Sequence, residues 1–251
     1  MNRTAFIVVI VLVAAIAVAG VVMLLPGDKG NGTDSDIGPG DSDDPVQTSG
    51  KLKIRNTLEV GDWVTLTIPC KGNPFVMKLT VESIDGDVAN LSTEYDASHK
   101  YAKNLDHFAK FNKVWTKLDA TNDVAAGLYP IIDDGTHSSV PMFVKNWSEE
   151  MRERARKSVG EYTEYAEAGD KKFYAEIKLK SHSTPRGERL CIVYDASGDV
   201  TEAEFLQSEG SEDFKYQDFT DNLVLDYELG IMWKVTPIGP IELDSSIYTY
   251  E

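Results

Sequence analysis

Two cysteines, Cys70 and Cys191, carry the clearest chemical possibility in the chain. Both lie downstream of a long apolar segment, and in an oxidising compartment such a pair reads as a disulfide. A bridge closing a loop of about 120 residues would stabilise the fold by roughly 4–5 kcal/mol in the chain-entropy account. The alternative is a buried thiol, since Cys191 stands between Leu190 and Ile192 in a strand-like run. No Cys-x-x-Cys occurs, which argues against thiol–disulfide exchange catalysis. A second constellation is Asp133, Asp134 and His137, two carboxylates and an imidazole within five residues, able to ligate a divalent cation or serve as a polar turn. Of four Asn-x-Ser/Thr triplets, those at Asn31, Asn90 and Asn146 are glycan-acceptor candidates on the expected outer side, while Asn2 is expected in the cytoplasm.

Other familiar chemistry does not assemble. Gly-x-Ser-x-Gly, His-Glu-x-x-His and the phosphate-binding Walker loop are missing, and His99, His107, His137 and His182 are scattered. An unrecognised hydrolase built on Asp133, Asp134 and His137 trails the other readings, and no cofactor is called for.

The exterior setting rests on the N-terminal segment. Residues 5–25, AFIVVIVLVAAIAVAGVVMLL, hold no charged or strongly polar side chain. As a helix they span about 31 Å at about 1.5 Å per residue, matching the hydrocarbon core of a bilayer. Arg3 precedes the segment and six aspartates follow it, so residues 1–4 are expected in the cytoplasm and the remainder outside. The rival is a signal peptide cleaved after Ala19, against which the apolar run continues through Leu25. Residues 26–50 are an acidic Gly/Asp/Ser/Pro tether with almost nothing to bury, and such a composition is expected to stay disordered.

The chain carries a net charge of −16, of which −12 belongs to residues 51–251. That balance repels phosphate backbones and excludes non-specific nucleic-acid binding. From Lys51 onward the apolar residues alternate in short runs bounded by turn residues. Val64, Leu66 and Ile68 alternate with Trp63, Thr65 and Thr67; Phe75–Ile84 and Val88–Tyr95 flank Asp85-Gly86, a hairpin signal. Residues 98–118 have helical spacing, through Tyr101, Leu105, Phe108, Phe111, Trp115 and Leu118. A charged helix is expected from an Asn146/Glu149 capping pair to about Ser158, ended by Gly160. Strands are expected again at 173–179, 189–194, 201–206, 223–227, 231–235 and 246–250, with Asp195–Gly198 as a hairpin loop. Gly86-Asp87-Val88 and Gly198-Asp199-Val200 form an echo that a duplicated unit would leave. The fold class is therefore α+β: a mainly antiparallel sheet with about two helices on one face, preceded by a transmembrane helix.

The apolar anchor, the Asp/Gly-rich tether and the opening Leu58–Leu66, LEVGDWVTL, resemble the single-pass, surface-anchored β-rich ectodomain proteins of archaea. That resemblance implies an extracytoplasmic domain on the cell membrane and carries no activity with it. Two functional classes follow. The first is a non-catalytic surface module that binds an extracytoplasmic protein, glycan or envelope component. The second is a small-molecule or lipid carrier or sensor, with a cavity between sheet and helices lined by Tyr101, Phe108, Phe111 and Trp115.

Overall fold

The structure, a computed structural model, describes residues 51–68, 73–99, 102, 112–118, 125–128, 140–168, 171–195, 223–235 and 241–251. The expectations for residues 1–50 fall outside these: the 5–25 span, the tether and Asn31. Among the described residues no helix is long and apolar enough to cross a membrane.

The fold is β-rich and antiparallel. The strands are β1 (Leu52–Ile54), β2 (Trp63–Ile68), β3 (Phe75–Asp85), β4 (Val88–Tyr95), β5 (Lys113–Trp115), β6 (Ala125–Leu128) and β7 (Val140–Val144). After helix α1 (Glu149–Lys157) come β8 (Tyr162–Ala168), β9 (Lys171–Thr184), β10 (Gly187–Asp195), β11 (Leu223–Asp226), β12 (Met232–Val235), β13 (Ile241–Ser245) and β14 (Tyr248–Tyr250). Ten of them form one sheet in the order β5-β4-β3-β2-β13-β12-β11-β10-β9-β8. Two meanders, β2 to β5 and β8 to β13, thus join where β13 pairs with β2, Leu243 opposite Leu66. Separate pairs β1–β14 and β6–β7 complete the fold, and Phe143 bridges to Ile231 beside β12.

Period-two alternation explains the inward face. Val64, Leu66 and Ile68 of β2 and Phe75, Met77, Leu79 and Val81 of β3 are buried, while the residues between them are half-buried or exposed. The expected β3–β4 hairpin forms: Asp85 pairs with Val88, and the central residues are Gly86, at φ 60°, and Asp87. Glycine at the first central position is the pattern of a type II′ turn, which matches the twist of the flanking strands. In β7 and β11 every residue is buried, so the middle of the structure is covered on both faces. Trp233 and Tyr248 meet edge to face there, ring centroids 5.3 Å apart, and the Tyr248 hydroxyl donates to the Met142 carbonyl at 2.9 Å.

Four expectations need correction. Residues 113–115 are not helical: they form β5 against β4, Val114 opposite Ala89. Val114 and Thr116 point inward while Trp115 is 40% exposed, a two-residue period hidden by the three- and four-residue spacing of the aromatics. One α-helix, α1, lies among the described residues rather than two, and residues 103–111 lie outside them. Its N-cap is Ser148, whose hydroxyl accepts from the Met151 amide at 3.3 Å, two residues after the expected Asn146. Lastly, both edges of β10 from Cys191 to Tyr194 are occupied by β9 and β11. Those residues therefore cannot pair with 201–206 in a hairpin; residues 196–222, including the second half of the Gly-Asp-Val echo, lie outside the described set.

A candidate interaction groove at the β11–β12 turn

The candidates that fall among the described residues, Cys191, Asn90 and Asn146, stand on separate elements. Asp133, Asp134, His137 and Cys70 lie outside the described residues. Among those described, no three His, Cys, Asp or Glu side chains group to hold a metal ion, and no disulfide is present. Cys191 is completely buried in β10, with Lys180 opposite on β9 and Asp226 opposite on β11. Asn90 is half-buried on β4 and its amide donates to the Ser83 hydroxyl at 3.0 Å. Asn146 is exposed in the turn between β7 and α1, with φ 57°. Of the carrier-lining aromatics, Trp115 is described and faces outward. The space enclosed by Leu58, Val64, Leu79, Leu91, Leu128 and Met142 amounts to about 10 Å³, room for one water.

What the fold does assemble is a groove of about 450 Å³ lined by Lys51, Trp147, Arg152, Tyr227, Glu228 and Leu229. Its foundation is Asp226, the last residue of β11 and fully buried. A buried carboxylate is tolerated only when its lone pairs are satisfied, and Asp226 is bonded on both oxygens. Oδ2 accepts from Arg189 Nε at 2.7 Å and from the Trp233 indole at 3.3 Å. Oδ1 accepts from Arg189 Nη2 at 3.2 Å and from the backbone amides of Glu228 and Leu229 at 3.0 and 2.9 Å. An aspartate that binds amides two and three residues ahead fixes a turn, so Asp226 sets the path of Tyr227–Gly230.

The Arg189 guanidinium is charged under all ordinary conditions. Burial, the largest influence, pulls its pKa down. The hydrogen bond and charge of Asp226, with smaller contributions from Glu228 and Tyr250, outweigh that and raise it.

Trp147 forms one wall. Its indole N–H donates to the Tyr227 carbonyl at 2.9 Å, and its ring lies over Gly230. The approach is possible because Gly230 has no side chain and sits at φ 69°. Arg152, one turn into α1, donates from Nη1 to the Glu228 carbonyl at 3.2 Å. Glu228 meets Arg189 at 3.4 Å and Lys51 at 3.9 Å. At 70% and 55% exposure the Lys51–Glu228 contact contributes little, about 0–1 kcal/mol. Chemically the groove offers an aromatic and aliphatic floor, a guanidinium and an ammonium on one rim, and a carboxylate already engaged by two cations. It contains no nucleophile–base pair.

The chain matches no protein-family model, and comparison with curated proteins and with solved structures finds no match.

Proposed function

We propose that residues 51–251 are a non-catalytic binding module, held outside the cytoplasm on the anchor of residues 5–25, and that the module binds its partner through the Trp147 groove. The observation that carries this reading is the rigidity of the groove wall: Trp147 is fixed by a hydrogen bond to Tyr227 and by contact with Gly230, on a turn pinned by buried Asp226. Surfaces organised before binding lose less side-chain and loop entropy on association, and tryptophan, tyrosine and arginine supply most of the energy at protein interfaces. The polar, acidic segment between anchor and domain suits presentation at a distance from the membrane.

The test is site-specific photo-crosslinking on intact cells. A photoreactive residue at Leu229 is expected to capture a discrete partner, and one at Val76, exposed on β3 away from the groove, is not. Equal capture from both positions, or none from Leu229, would count against the module.

A further inference from the structure

We propose that the groove recognises an acidic peptide segment of a partner protein. A ligand carboxylate would be forked on Arg152, beside the Lys51 ammonium, with the neighbouring apolar side chain on Trp147, Tyr227 and Leu229. This rests on the binding-module reading and adds the chemistry of the ligand.

The argument is one of charge complementarity. Residues 51–251 carry −12, yet the groove lining holds two cations and one anion, Lys51 and Arg152 against Glu228. The anion is partly offset by Arg189, whose Nη2 stands 3.4 Å from a Glu228 carboxylate oxygen, so the lining keeps a net positive charge. Arg152 spends one N–H on the Glu228 carbonyl, and the rest of its fork makes no hydrogen bond or ion pair to the described residues. That single bond orients the guanidinium plane while leaving donors for a bidentate carboxylate, the geometry arginine matches and lysine does not.

Shape restricts the ligand further. A volume of about 450 Å³, open to solvent, admits one or two side chains of an extended segment rather than a fully enclosed small molecule. The floor of Tyr227 and Leu229 is partly buried against the core, so it can accept an aliphatic side chain without rearranging.

The experiment uses the full chain in detergent micelles. It is titrated with a capped Asp-Leu-Asp peptide and with the uncharged Asn-Leu-Asn counterpart, and binding is read by ligand-observed NMR. The acidic peptide is expected to bind at least tenfold more tightly than the neutral one. Arg152→Gln is expected to cost at least tenfold, Arg152→Lys to recover part of the loss, and added salt to weaken binding. Equal binding of both peptides, binding untouched by Arg152→Gln, or no binding at all would overturn the proposal. Binding that appears only after Asp41, Asp43 and Asp44 are changed to Asn would overturn the external ligand and seat the chain's own acidic segment in the groove. Crosslinking from Leu229 that persists without peptide binding would leave the module standing and remove only this assignment of its ligand.

Discussion

Trp147 and Gly230, 83 positions apart, touch so closely that a β-carbon on Gly230 would lie 2.6 Å from Trp147 Cγ. The contact joins the turn before α1 to the turn before β12, and it forms one wall of the groove.

Gly230→Ala therefore meets two penalties: the positive φ of 69° and a collision with a ring that is hydrogen-bonded in place. Gly61 is the control, with φ 91° and nothing within 4 Å of an added β-carbon. Strain of this kind costs about 1–3 kcal/mol. Urea unfolding is expected to place Gly61→Ala in that range and Gly230→Ala above it. Capture from Leu229 should fall in Gly230→Ala alone.

Asp226 offers a second test. Replacing it with Ala strands the Arg189 guanidinium, the Trp233 indole N–H and two turn amides. Breaking a buried ion pair from one side costs about 3–5 kcal/mol. The double change Asp226→Leu with Arg189→Met should recover part of that, because it leaves no uncompensated charge. A single variant as stable as the parent chain would refute the assigned role.

Two buried tyrosines set an alkaline limit. Burial raises the pKa of both Tyr194 and Tyr248; the Asp244 charge adds to it at Tyr248, and Arg186 opposes. In the unfolded chain a phenol titrates near pH ~10. Above that pH the unfolded state releases protons that the folded state keeps, so stability is complete below pH ~10 and falls as pH rises. Each tyrosine contributes about 1.4 kcal/mol per pH unit in that window. Tyr194→Phe should remove about that much from the measured slope between pH 10 and 12. A slope unchanged by the substitution would contradict the burial of its hydroxyl.

Ser148 serves two purposes that can be separated. It caps α1, and it completes the Asn146-Trp147-Ser148 acceptor triplet. Loss of a cap costs about 0.5–2 kcal/mol. Ser148→Ala should lose both cap and any glycan on Asn146. Ser148→Asp should keep the cap and lose the glycan, since aspartate caps helices equally well. Intact mass of the chain from its native host, set beside unfolding curves of both variants, distinguishes the two effects.

The strands that rest on period-two patterns were readable, β2, β3 and β4 most clearly, because a half-buried antiparallel strand writes its environment directly into its alternation. Strand β13 was not, although Leu243 and Ser245 face inward, because Glu242 and Asp244, which alternate with them, are residues that strands disfavour. The charged helix is legible from its composition, but Asn146 and Ser148 both carry side chains able to cap it, and the sequence alone does not say that Ser148 does so. The groove left almost no trace in the sequence. Lys51, Trp147, Arg152 and the 227–229 turn come from three distant parts of the chain, and only packing brings them together. Asp226 looks in the sequence like any acidic residue at the end of a strand; its burial comes from Arg189 on β10 and Trp233 on β12.

The outermost pair of strands has its own consequence. Leu52 lies opposite Tyr250 in the β1–β14 ladder, Glu251 donates its amide to the Lys51 carbonyl at 3.2 Å, and its carboxylate meets Lys53. The backbone from Lys51 to Glu251 is therefore nearly a ring. A few linking residues could close it, and new ends could be opened at the exposed Gly86–Asp87 turn, giving a circular permutant in which the groove stays whole while the attachment point moves to the opposite end of the order of assembly. A reporter fused after Glu251 would likewise emerge beside Lys51, at the rim of the groove, and would act as a steric probe of whatever docks there.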